Sequence, residues 1–135
     1  MKYEWSGNIT VDVPNDWTIH EPGNLIELVP PDGSGALHIT VLDRQRPGIP
    51  TQEEAIELVN WFKERRGGEG RIETTTGSEI EARSRFDSAE DGEPMNWIVV
   101  SKVWPDRAVL ASYSQALHSF SNDVIVDAII ESIRP

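Results

Sequence analysis

Between residues 95 and 117 the chain reads as two long apolar runs meeting at Pro105-Asp106, and the other assignments are arranged around this pattern. A two-residue turn there places Trp104 opposite Arg107, Val100 opposite Ala111 and Ile98 opposite Tyr113, because partners across a hairpin sum to a constant. Alternation puts Ile98, Val100, Trp104, Val109, Ala111 and Tyr113 on one face, and Met95, Trp97, Val99, Val103, Ala108, Leu110 and Ala116 on the other. A hairpin apolar on both faces is predicted to lie inside a sheet with structure packed on each side.

Upstream, residues 8–13 alternate with period two and stop at Pro14-Asn15-Asp16, a strand followed by a turn. After Trp17-Thr18-Ile19, a strand over 24–29, a loop over 30–35 and a returning strand over 36–42 complete an antiparallel meander. The Gly33-Ser34-Gly35 run precedes a strand rather than a helix, so it reads as a hairpin loop and not as a phosphate cradle.

A connector over 44–50 leads to a helix start at Thr51, where Thr51 with Glu54 has the form of a capping box. Glu53, Glu54 and Glu57 suit the positive end of the helix dipole, and Ala55, Leu58, Val59 and Phe62 mark one buried face. Lys63, Arg65 and Arg66 suit its far end, and Gly67-Gly68 stops it. Residues 71–76 and 79–86 alternate weakly, as exposed or edge strands with a bend at Gly77, and 88–94 reads as an acidic turn. A last helix runs to Ile133 with possible N-caps between His118 and Asp123. Asp123, Asp127, Glu131 and Arg134 share a narrow stripe on it, and apolar residues fill nearly all the rest, which predicts a helix pressed against the sheet.

Length and charge narrow the classes. The chain's 135 residues fit one domain, 1–135. It has no cysteine, which removes disulfides, thiolate metal sites and a Cys nucleophile. A net charge of −11 opposes nucleic-acid binding and anionic membranes, and it fits solubility alone or, as the weaker reading, a partner with a basic patch. With neither a secretory signal nor an apolar run of membrane length, a cytoplasmic location is expected.

Candidate chemistry is sparse. His20, His38 and His118 lack an HExxH partner and read as structural or surface residues. Asp87, Glu90, Asp91 and Glu93 do not follow the spacing of a calcium loop, so no metal is expected there. Ser112, Ser114, Ser119 and Ser121 lie in no nucleophile elbow and read as small sheet positions and caps. No catalytic residue and no cofactor is assigned. The aromatic residues are more informative, since Trp and Arg dominate binding hot spots. Trp17 and Trp97 read as core. Trp104, Pro105 and Arg107 at the hairpin tip, with Trp61 at the margin of the first helix's apolar face, form the candidate binding site for a protein partner.

The order of elements, with Val13-Pro14-Asn15-Asp16-Trp17 closing the first strand and 125–133 closing the chain, resembles the PsbP-like superfamily. That group includes PsbP itself, a Ran nucleotide-release factor, the DcrB lipoprotein and EagR-type chaperones of bacterial secretion effectors. The resemblance implies an α+β fold, an antiparallel sheet with helices packed on both faces in an α/β/α sandwich. It also implies a non-enzymatic adaptor or chaperone-like role, in its sharpest form a bacterial chaperone holding an apolar helix of a secreted effector in a sheet groove. The other readings are an immunity or inhibitor protein capping a basic toxin surface, and a small-ligand-binding or enzymatic domain. A homodimer is compatible with each. An open apolar surface favours the first, a concentrated acidic face the second and an enclosed polar pocket the third.

Overall fold

A computed structural model gives the fold and describes residues 1–5, 9–44, 48–74, 79–90, 92–116 and 122–135. The elements are β1 (Lys2–Trp5), β2 (Ile9–Asp12), β3 (Thr18–His20), β4 (Leu25–Val29), β5 (Gly35–Asp43), α1 (Gln52–Arg65), β6 (Ile72–Thr74), β7 (Ile80–Glu90), β8 (Glu93–Val103), β9 (Arg107–Ala116) and α2 (Asp123–Glu131). β1 and β2 form a separate hairpin, and the other seven strands make one antiparallel sheet in the order β3-β4-β5-β9-β8-β7-β6. The class is α+β, dominated by antiparallel strand.

β8 and β9 lie inside the sheet, as their two apolar faces require. Ile98 faces Tyr113 and Val100 faces Ala111, and the Trp104 N–H donates to the Arg107 carbonyl at 2.8 Å. The acidic stretch expected as a turn is instead mostly strand, because the ladder continues with Ser88 opposite Met95 and Ala89 opposite Pro94. Only the residues between β7 and β8 remain for the turn, where Gly92 takes a φ of 80° that favours glycine. β1 was not expected from the sequence. The bend assigned to Gly77, the candidate caps from His118 to Ser121, and Asp91 lie outside the described residues.

α1 packs against β6, β7 and β8. Its Ala55, Val59 and Phe62 meet Ala82, Phe86, Trp97, Val99 and Val103. The Thr51 hydroxyl accepts from the Glu54 N–H at 3.3 Å, as the capping signature predicts, and Ser101 of β8 donates to the Ala55 carbonyl at 2.7 Å, tying helix to sheet. At the far end Gly68 lies so close to β7 that a Cβ would stand 2.1 Å from Phe86 Cδ2.

The opposite face of the sheet carries Ile26, Leu28, Leu37, Ile39, Ile98, Val100 and Tyr113. It is packed with Ile9, Val11 and Val13 from β2 and its following residue, and with Val126, Ile129, Ile130 and Ile133 from α2 and just beyond it. That layer is a hairpin with a nine-residue helix beside it, so the expected sandwich of a sheet between helices is corrected to a mixed covering. The reason is the β1–β2 hairpin, which supplies apolar area over the face that a longer helix would otherwise cover.

Three ties hold α2. Arg134, just past it, exchanges two backbone hydrogen bonds of 2.9 Å with Thr10 of β2. Arg85 of β7 reaches Asp123 at 3.0 Å and Asp127 at 3.3 Å. Lys102, buried in β8, points its ammonium at the Ile133 carbonyl, 3.3 Å away, where a helix terminus favours a cation. The weak alternation of β7 now has a cause. Its Ala82, Ser84 and Phe86 are buried, while Arg83 and Arg85 on the other side meet the acidic stripe of α2. The exposed edge on this side is β6 and not β7.

Candidate functional site

Because α1 is packed over one side of its face, Leu25, His38, Thr40 and Leu42 of β4 and β5 are only half buried. Between them and the helix runs a groove of about 740 Å³. Its floor is Leu42, Val103, Ala108 and Leu110, its helical wall is Leu58, Trp61 and Phe62, and His38, Thr40 and Ser112 add polar groups. Trp61 is 51% exposed, with the Arg65 guanidinium stacked 4.4 Å from its ring.

Sheet register explains how the polar groups meet. Glu27 of β4 faces His38 of β5, and His38 faces Ser112 of β9, so a carboxylate, an imidazole and a hydroxyl stand in line across three strands. His38 Nε2 lies 2.8 Å from Glu27 Oε2. Carboxylate, imidazole and hydroxyl in this order resemble the parts of a nucleophilic triad, which is recognised by geometry and roles. Among the described residues, however, no hydrogen bond joins Ser112 to His38, and the β9 backbone around Ser112 is engaged in the ladders with β5 and β8. Of this row, His38 and Ser112 line the groove, with Glu27 on the next strand hydrogen-bonded to His38, and Asp43, Glu54 and Glu57 add carboxylates to the lining.

Two cations line the groove and both are engaged. Arg44 donates to Glu54 at 3.0 and 2.6 Å, to the Gly48 carbonyl at 2.7 Å and to the Pro105 carbonyl at 2.9 Å. It thereby pins the start of α1 to the β8–β9 turn. The Arg66 guanidinium lies 5.0 Å from the ring centres of both Phe62 and Trp97.

The residues proposed from sequence separate into three places. Trp61 lines the groove. Trp104 does not project from the hairpin tip: it is 8% exposed and belongs to the core on the other face of the sheet. A residue continuing the Ile98-Val100 stripe must follow that stripe inward. Pro105 is exposed at the turn and gives its carbonyl to Arg44. Arg107 is paired with Asp106 at 2.8 Å, and that hydrogen bond is the main cause holding the Asp106 carboxyl below its ordinary range. Among the described residues no three His, Asp or Glu side chains converge as metal ligands would.

Sequence reasoning missed His38 and Glu27 as a pair and Lys102 as a buried charge. The sum rule that placed Val100 opposite Ala111 also places Glu27 opposite His38 once the 30–35 turn is centred. Lys102 was legible as the cation interrupting an apolar stripe.

No family model matches this chain, and no curated protein matches it. Solved structures do. A protein from Bacteroides thetaiotaomicron superposes with a TM-score of 0.67 at 18% identity, over 98% of this chain and 47% of that one. This chain thus spans about half the length of that protein. LpqN, a protein involved in cell envelope biogenesis of Mycobacterium tuberculosis, superposes with a TM-score of 0.62 at 16% identity, over 94% of this chain and 83% of LpqN. At such identities the likeness is one of fold. It indicates a related fold and nothing specific to PsbP.

Proposed function

We propose that this protein is a non-enzymatic adaptor or chaperone-like protein that holds an apolar segment of a partner protein in the groove between α1 and the β4–β5–β9 side of the sheet. The observation that carries this reading is the offset of α1, which leaves an apolar-floored trough open beside an exposed tryptophan. Exposed apolar grooves rimmed by polar groups mark interaction sites, and Trp is prominent among hot-spot residues. A chaperone for a secreted effector is the sharpest form of the proposal. Among the described residues no helix is long and apolar enough to cross a membrane.

A small apolar ligand is the second reading, favoured by a groove volume within the range of about 300–1,000 Å³ typical of ligand sites. One experiment tests both. A photo-crosslinking amino acid is placed at Thr40, which lines the groove, and in a second protein at Asn15, an exposed turn position outside the groove. Irradiation in the native host should trap a discrete protein from position 40 and not from position 15. A small adduct mass from position 40, lost when Thr40→Trp fills the groove, supports the second reading. Equal trapping from both positions refutes the groove as the site.

A further inference from the structure

The groove runs beside α1 for most of that helix, since its lining includes Glu54 near the start and Arg66 just past the end. The rise of the helix between them is about 18 Å. The two ends differ in sign. Among the described residues, the lining at the start of α1 carries the carboxylates of Asp43, Glu54 and Glu57 against the guanidinium of Arg44. At the other end it carries Arg66, with Arg65 close by on the Trp61 ring. We infer that the groove holds an α-helix of the partner protein, about three turns long and antiparallel to α1, with an acidic first turn at Arg66 and a basic last turn at Asp43 and Glu57. The inference deepens the protein-segment reading of the groove and rests on it.

That the segment is helical follows from the sheet. The strands under the groove, β9, β5 and β4, are each paired on both sides, so no strand edge lies there to receive an extended chain. A segment entering the groove meets side chains, and its backbone N–H and C=O groups must pair within the segment, as they do in a helix. Spacing agrees with this. α1 sits over β7 and β8, and a second helix at the usual packing distance of about 10 Å lies two strand spacings away. That position is over β9 and β5, where Leu110 and Leu42 form the groove floor.

Direction follows from charge. An α-helix carries roughly half a positive charge at its N-terminus and half a negative one at its C-terminus. α1 therefore softens the charge at each end of the groove but does not reverse it, because at its start the three carboxylates outnumber the guanidinium by two. The ends are about 18 Å apart, beyond the screening length of about 8 Å at physiological salt, so each acts on the part of the segment nearest to it. A helix is itself most stable with acidic residues in its first turn and basic residues in its last. Such a helix complements the groove only when antiparallel to α1, and this also sets its dipole against that of α1. Laid parallel, it would need basic residues in its first turn, where they weaken it. Between the charged ends, Leu42, Leu58, Trp61 and Leu110 receive its apolar face.

The test is selection from a phage-displayed random peptide library on the intact wild-type protein, followed by affinity measurement of the best peptides on variants. Asp43→Asn combined with Glu57→Gln removes charge at the start of α1 and keeps side-chain shape. Thr40→Trp fills the groove, and Trp61→Ala trims its exposed wall. Circular dichroism checks the fold of each. We expect apolar residues at three- and four-residue spacing, Asp or Glu in the first turn and Lys or Arg in the last. Binding should be about fivefold weaker to the doubly neutralised protein, weak to Trp61→Ala and absent for Thr40→Trp. The fivefold loss should vanish when the last-turn Lys or Arg of the peptide is changed to Ala. Peptides that the groove variants reject overturn the inference, and leave the groove reading standing, if they bind the neutralised protein as tightly as wild type, carry their basic residues in the first turn or lack helical spacing. Failure to select any peptide that the groove variants reject overturns both. So does a groove filled by a second copy of this chain or by a small molecule, which native mass spectrometry would find in wild type and not in Thr40→Trp.

Discussion

Lys102 and Glu81 stand opposite each other on β8 and β7, both withdrawn from water, with the ammonium 4.0 Å from the carboxylate Oε1. Burial, ahead of the attraction of Lys102, pushes the Glu81 carboxyl above its ordinary value of 4.5. Burial likewise pulls the Lys102 ammonium below its ordinary 10.5. A carboxyl with a raised value in the folded state contributes stability that is complete below its unfolded value and is lost as pH rises through the folded one. The stability of the wild type relative to Glu81→Gln should therefore fall as pH rises through and above the ordinary carboxyl range. Urea midpoints of the two proteins across that range check it, and a rising difference refutes it.

The same pair predicts an asymmetry between single and double substitution. Lys102→Met alone strands a carboxylate in the interior and removes the cation facing the end of α2, and should cost about 3–5 kcal/mol. Lys102→Met with Glu81→Leu removes both charges and should cost far less, since buried pairs replaced by apolar residues are often neutral. Denaturant unfolding of the three proteins measures this directly.

Arg85 presents the opposite case. Its side chain is half exposed where it meets Asp123 and Asp127, so solvent screens the pairing. Arg85→Gln should cost less than about 1 kcal/mol, and the cost should shrink in high salt. A large, salt-independent loss would mean that Arg85 acts through packing instead.

The two tryptophans proposed together from sequence should now behave differently. Trp104→Ala empties a core position and should destabilise by about 3–5 kcal/mol. Trp61→Ala removes an exposed ring and should change stability by less than about 1 kcal/mol while weakening whatever the groove binds. Melting curves distinguish the two before any partner is known.

Removal of residues 122–135 should leave a chain that does not fold. That segment carries Val126, Ile129, Ile130 and Ile133 into the core and closes the edge of β2 through Arg134. A cooperative thermal transition in the truncated protein would refute this.

The central hairpin was legible because its turn and its alternation agree, and one arithmetic rule fixed every pair from Ile98 to Tyr113. α1 was legible for a similar reason, with cap, apolar face and glycine stop in register. The groove was not, because it depends on where α1 lies over the sheet, and an amphipathic pattern states which side is buried but not over which strands. Trp104 was misplaced because nearness to a turn was read as exposure, although the hairpin β1–β2 covers the face to which it points. Glu27 and His38 face each other on a meander whose register could be counted, yet what sets His38 on a groove is the wall of a helix outside that meander.

The sheet is built from two runs of neighbouring hairpins, β3-β4-β5 and β6-β7-β8-β9, and a single ladder between β5 and β9 joins them. Each run can form from nearby residues, but Ile39 meets Ala111 only after α1 and three strands have been traversed. Chain closure over such a span costs more entropy than closure of a local hairpin. The β5–β9 ladder is thus the strand pairing that closes the longest stretch of chain, and until it forms, Leu110 and Leu42 are not side by side and the groove floor does not exist.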